Sequence, residues 1–294
     1  MKTTPLFLAF FLMLLLSCTG QKKQEETKIS VFAVHISTIA QQENISFTEA
    51  AIKLRQMGYA GADVYPYQED VIPVLDSLGY GHSCAIVHIN YLGEEHVDSI
   101  DATTPRGFFR AGWGDLEAVA INFVKKHHYP HLMLVPNVLP KEATAEDAEN
   151  VRKHVAAFAD RCVAEGIDLV VESFDNEASL CYGTERLQAL LNKSKSLGVA
   201  FDIGNFTFAK EDPVEAYETL KDRVRHVHIK DRASLDDMTP VPAGLGCSKI
   251  QTVLQKMQDS GYDGWYTIEI FGSKQMLTEL ETAYRNTHSF LNKE

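Results

Sequence analysis

The chain lacks a basic stripe. Its formal net charge is -12, which excludes a nucleic-acid binder, because such proteins neutralise phosphates with clustered Lys and Arg. The one dense basic stretch, Lys125-Lys126-His127-His128, is brief and reads as a solvated helix end. No Pro/Gly/Ser-rich linker divides the residues from about Lys28 onward, so one domain is expected. The cysteines are few: Cys18, Cys84, Cys162, Cys181 and Cys247 have spacings that match no zinc or disulfide signature. Buried free thiols are expected. No glycine-rich phosphate fingerprint follows the first strand-like run, which disfavours an open doubly wound nucleotide-binding sheet. No apolar run is long enough to span a bilayer comfortably.

The longest apolar run, Leu6 to Leu16, follows Lys2 and ends at Leu15-Leu16-Ser17-Cys18. That end resembles a bacterial lipoprotein cleavage box. The resemblance implies a signal peptide over residues 1–17, lipidation of Cys18, a polar tether over 18–27 and a folded domain over 28–294. It also implies a lipid anchor as the sole membrane contact, on the periplasmic or surface side of the cell envelope.

From Lys28 onward, strand-like and helix-like segments alternate eight times. Strands are expected over Ile29–Ile36, Ala62–Tyr65, Cys84–Ile89, Leu132–Val135, Asp168–Ser173, Val199–Ile203, Val224–Ile229 and Trp265–Ile270. Helices intervene, among them Phe47–Met57, Ala145–Ala164, Glu185–Leu197 and Met276–Phe290. Eight such units point to the α/β class and a single closed (β/α)8 TIM barrel.

The last four strand-like runs each end on a polar residue: Glu172, Asp202, His228 and Glu269. Side chains alternate along a strand. Leu169 and Val171, Val199 and Phe201, Val227 and Ile229, and Tyr266 and Ile268 would then face covering helices, leaving the polar four together in the interior. Burying even one unpaired carboxylate is expensive, and neighbouring carboxylates repel, unless a cation neutralises them. The set is therefore the ligand kit for one divalent ion. A buried salt-bridge network without metal would need Arg or Lys on the same inward faces, and Lys230 alone qualifies.

Gly58-Tyr59-Ala60-Gly61-Ala62-Asp63, Val171-Glu172, Phe201-Asp202-Ile203-Gly204-Asn205, His226-Val227-His228-Ile229-Lys230-Asp231 and Gly264-Trp265-Tyr266-Thr267-Ile268-Glu269 together resemble the sugar phosphate isomerase/epimerase family. That family shares the xylose isomerase-like barrel. The resemblance implies that Glu172, Asp202, His228 and Glu269 bind one Mn²⁺, Mg²⁺, Co²⁺ or Zn²⁺, and that Glu172 and Glu269 move protons. A proton next to a ketone leaves as an enediolate forms, and a cation on the carbonyl and hydroxyl oxygens stabilises that charge. Returning the proton to the opposite face is epimerisation, and to the neighbouring carbon isomerisation. Loss of a β-oxygen substituent is elimination. An isomerase or epimerase of a keto-sugar is expected. The alternatives are a lyase or hydratase of keto-sugars or 3-keto-glycosides and a non-catalytic carbohydrate-binding lipoprotein. Asn205 stands where the 3-epimerase and apurinic endonuclease branches carry histidine, and no Asp-x-His pair follows Asp231. The first departure argues against a close likeness to either branch, and the second against DNA repair.

Further candidates for substrate contact are His35 and His88 at the ends of the first and third strands, Asn137 ending the fourth, Asn205, and Lys230 at the mouth. Trp113, in the loop Gly107–Gly114, would stack on a sugar face. Each histidine reads equally as a hydrogen-bonded core residue, and Lys230 equally as an ion pair with Asp231 or a neighbouring acid. His226, one layer deeper than His228, reads as structural. With no phosphate clamp evident, a free or glycosidic keto-sugar is the expected partner.

Overall fold

The computed structural model describes residues 27–136 and 138–293. The expected signal peptide, Cys18 and most of the expected tether, together with Asn137, lie outside them. Eight parallel strands close a barrel in chain order: β1 (Ile29–Phe32), β2 (Gly61–Val64), β3 (Gly81–Ile89), β4 (His131–Pro136), β5 (Asp168–Glu172), β6 (Gly198–Asp202), β7 (Val224–Ile229) and β8 (Tyr266–Ile268), which pairs back onto β1. Helices cover the outside, and the apolar residues expected to face them are buried, from Leu169 and Val171 to Tyr266 and Ile268. Phe201, fully buried between strand and helix, contributes about 2 kcal/mol by leaving water.

Local chemistry sets the helix ends. Ser46 and Glu49 form a reciprocal capping box before helix Phe47–Met57, and Gly58 closes it at φ 112°. Thr144 and Asp147 do the same for Ala145–Ala164. The first strand is shorter than expected: it stops at Phe32, and Ala33–Glu43 is helix. Short apolar runs rich in β-branched residues do not distinguish a strand from a buried helix. The helix expected over Glu185–Leu197 is Gly183–Leu191. Beyond it Arg223 takes up the carbonyls of Ser194 and Leu197.

Register places the polar residues of the interior at matched heights. Asp202 pairs with His228, His228 with Thr267, and Phe32 with Asp63. Beyond β7 a small antiparallel hairpin (Asp231–Arg232 with Pro240–Val241) covers part of the barrel mouth. Asp231 secures it by accepting the backbone N–H groups of Gly244, Gly246 and Ser248.

Candidate metal centre and substrate cavity

The lower polar level of the barrel centres on Asp63. Its Oδ1 accepts from Ser83 Oγ and from Thr267 Oγ1 at 3.0 Å. Its Oδ2 accepts from His226 Nε2 at 2.9 Å and His228 Nε2 at 3.1 Å. Burial alone would raise this carboxyl's pKa, but the two histidines hold it well below the usual range. Asp63 is therefore a carboxylate with every lone pair engaged. His228 is consequently presented with its Nε2–H downward and Nδ1 upward.

The upper level lies at the carboxyl ends of β5 to β8. One donor atom from each of Glu172, Asp202, His228 and Glu269 lies within 4.8 Å of the others, and all four residues are buried. Glu172 closes β5. Asp202 closes β6 and caps the following helix, its Oδ1 accepting Asn205 N–H at 2.9 Å. Glu269 lies one residue past β8, held in register by its N–H to Ile229 O at 3.1 Å. His228 Nδ1 is 2.6 Å from Glu172 Oε1 and 3.2 Å from Glu269 Oε2.

Lys230 reaches into the same group. Its Nζ lies 2.9 Å from Asp202 Oδ2 and against Glu269 Oε1, with Asn205 Oδ1 at 3.1 Å. The ion pairs are thus with these two acids and, at 4.0 Å, with Asp175 Oδ2, rather than with Asp231. Burial would lower the Lys230 pKa, yet Asp202 and Glu269 raise it, so it stays an ammonium. Burial would lower His228 as well, and Glu172 and Asp63 push it well above the imidazole range. Glu269, which burial would raise, is brought down to about 2 by Lys230 and His228. Glu172 is raised, chiefly by burial. Asp202 is raised to about 7 by burial, despite Lys230.

The donor set fits a divalent cation. Three carboxylates crowd around a single imidazole and a single ammonium, so negative charge is in excess. Although close to the ammonium, Asp202 Oδ2 has no aligned hydrogen bond. A buried carboxylate oxygen in that state is what a hard cation would satisfy, and oxygen and imidazole donors suit Mn²⁺, Mg²⁺, Co²⁺ or Zn²⁺ alike. Glu172, Asp202, His228 and Glu269 would hold it.

A cavity of about 300 Å³ opens directly above, with Glu172, Glu269, Lys230, Arg232 and Asp175 on one side and Phe32, Tyr65, Phe174 and Phe271 among its apolar walls. His88 lines it, as expected. Burial pushes His88 down to about 4, so the ring is neutral, and its Nε2 is 3.3 Å from Tyr65 Oη. His35 does not line it. Because β1 ends at Phe32, His35 belongs to the first turn of helix Ala33–Glu43, buried, with Nε2 accepting Ile270 N–H at 3.1 Å. Trp113 also lies elsewhere: it opens helix Trp113–His127, with ring centroids 4.7 Å from His154 and 5.8 Å from Tyr91. Asn205 is buried beneath the cavity, donating to Ser173 O at 2.7 Å and bracing both Lys230 and Arg232.

Asp63, Tyr65, Phe174, Asp175, Arg232 and Phe271 were not expected at the site. Arg232 had a readable signal, since it continues the alternation of His228 and Lys230. It pairs with Asp175 Oδ2 at 2.6 Å. Lys230 and Arg232 are thus both ion-paired with acids.

Residues 86–294 match the family model for the xylose isomerase-like TIM barrel. The chain is 27% identical over 101 residues to an inosose dehydratase of Lacticaseibacillus casei, covering 29% of this chain and 34% of that protein. It is 31% identical over 109 residues to a fructoselysine 3-epimerase of Escherichia coli O157:H7, covering 36% and 39%. The chain thus spans little more than a third of the length of these curated relatives. Among solved structures, it is similar in fold to a sugar phosphate isomerase/epimerase from Parabacteroides distasonis, at TM-score 0.66 and 16% identity over 92% of this chain and 97% of that one. It is likewise similar to a D-allulose 3-epimerase from Methylomonas sp., at TM-score 0.65 and 15% identity over 91% and 98%.

Proposed function

Because this chain belongs to the xylose isomerase-like TIM barrel family, we propose that it is a divalent-metal-dependent isomerase or epimerase of a keto-sugar or sugar derivative. The observation that carries the reading is the convergence of Glu172, Asp202, His228 and Glu269 within 4.8 Å, with Glu172 and Glu269 lining the cavity. A cation held there would supply Lewis acidity to a substrate's carbonyl and adjacent hydroxyl oxygens.

The protein's own groups supply the proton transfers. Glu269 is ionised and faces the cavity, so it accepts the proton next to the carbonyl. Glu172, raised by burial, holds a proton more readily and returns it. Lys230, aligned by Asn205, donates to a substrate oxygen on which negative charge develops. In turning to that oxygen it loosens its hold on Glu269, which strengthens that base at the moment of transfer.

Elimination is the second reading. It is favoured by the likeness to an inosose dehydratase and by the Lys230 ammonium beside the carboxylates, a proton source for a departing oxygen. The N-terminal sequence supports a lipid-anchored enzyme at the bacterial envelope, joined to the membrane through Cys18.

The test is metal analysis of the purified protein followed by solvent-deuterium exchange on keto-sugars with added Mn²⁺ or Co²⁺. Exchange without bond cleavage supports the isomerase or epimerase, and release of water or an aglycone supports the lyase. No exchange with any keto-sugar, in protein carrying a full equivalent of metal, overturns both in favour of a binding protein.

A further inference from the structure

A second cavity of about 250 Å³ abuts the first, and His88, Val135 and Phe174 line both. Its own walls include Ile89, Asn90, Phe109, Ala111, Leu116 and Val138. The two lobes differ in charge. The acidic and basic side chains Glu172, Asp175, Lys230, Arg232 and Glu269 line the inner lobe. Among the described residues lining the outer lobe none is ionised, since burial keeps His88 neutral down to about 4.

An aromatic band joins the lobes. Tyr65, on the inner wall, stacks on His88 with centroids 5.7 Å apart, and His88 meets Phe109 edge-on at 5.6 Å. Phe109 leaves 53% of its surface in water. With Phe271 of the inner wall, itself 45% exposed, it gives the two lobes aromatic surface that an apolar group would cover. A bare sugar, polar around its whole rim, would leave that surface wet. An appended phosphate or amino-acid group would meet no counter-charge there, and its desolvation would go uncompensated.

Resting on the proposed sugar chemistry of the inner lobe, we infer that the substrate carries an uncharged, largely apolar substituent beside its sugar ring. The outer lobe receives it. The enzyme is thus selective for apolar glycosides or similarly substituted keto-sugars over free, phosphorylated or amino-acid-linked sugars.

Calorimetric titration of the metal-loaded protein with methyl, phenyl and 4-carboxyphenyl glucosides tests this. Phenyl should bind about ten- to hundredfold more tightly than methyl, the range expected for burying one aromatic group. The carboxylate should lose most of that gain. Ala111→Phe, which fills the lobe, should abolish the phenyl advantage and leave methyl binding unchanged. Phe109→Ala, at a half-exposed position that tolerates truncation, should reduce the advantage. Equal affinity for methyl and phenyl glucosides, or a carboxyphenyl compound bound as tightly as phenyl, overturns the inference alone. Binding of no glucoside also overturns the inference, while deuterium exchange on keto-sugars reports the sugar reading beneath it separately.

Discussion

Asp63 and Asp202 are both fully buried aspartates inside the same barrel, one level apart, and they stand in opposite electrostatic states. Asp63 accepts from Ser83, Thr267, His226 and His228 and is held ionised. Asp202 gives Oδ1 to the Asn205 N–H, leaves Oδ2 without an aligned donor, and is pushed up to about 7. Donor supply makes the difference. Below, hydroxyls and imidazoles outnumber the single acid. Above, Asp202 shares one ammonium and one imidazole with two glutamates. A saturated carboxylate holds its surroundings in place, whereas an unsaturated one is poised to take a cation.

The largest effect expected from breaking this arrangement is in the upper level. Glu269→Gln should keep the fold and part of the metal affinity while slowing proton exchange by roughly 10²–10⁴-fold, as loss of a general base does. Deuterium incorporation under saturating metal reads it, and near-normal turnover would remove Glu269 from the proton-transfer role.

A smaller effect is expected from the lower level, and it tests whether the two are coupled. Asp63→Asn exchanges an ionised acceptor for an amide opposite His228 Nε2, so the imidazole loses the partner that fixes its tautomer. Metal affinity should fall roughly 10–100-fold, the usual consequence of losing a carboxylate behind a ligating histidine. Excess metal should recover much of the exchange activity. Unchanged metal affinity in calorimetry would show that the levels act independently.

The smallest effect is in the pH dependence of the metal-free protein's stability. His35, His88 and His131 are each lowered by burial from 6.5 to about 4. The unfolded chain binds protons that the folded one refuses, so their contribution is present above 6.5 and is lost as pH falls through 4. Asp202 acts in the opposite sense. Its folded pKa lies above the ordinary value, so its contribution is greatest in acid and is lost as pH rises through about 7. Asp202→Asn removes that opposing slope, and its melting temperature should drop more steeply than wild type between pH 6.5 and 4. Parallel curves for the two proteins would mean that Asp202 is not the strained member of the set.

Much of the site was readable because strand geometry is strict. The alternation in β5 to β8 placed Glu172, Asp202, His228 and Glu269 on inward faces, and the barrel brings them together. His35 was misplaced because Ile29–Ile36 carries the same apolar spacing whether it runs on as strand or turns into a buried helix. Trp113 was misplaced because its glycine-rich surroundings form a helix start at Gly112 rather than an open loop. Asp63 stood in view within a quoted motif, but its role depends on His226, 163 positions along the chain. Long separations of that kind leave no periodic trace.

What the sequence determined by itself was the barrel and the identity of the four polar ends, because both follow from local periodicity repeated eight times. Tertiary structure decided everything that depends on how charges share a confined volume. It set which aspartate is saturated and which is not, gave Lys230 the acidic partners Asp202, Glu269 and Asp175, and divided the cavity into a charged lobe and a neutral one. Those outcomes come from electrostatics among residues far apart in the chain, at distances fixed only once the barrel has closed.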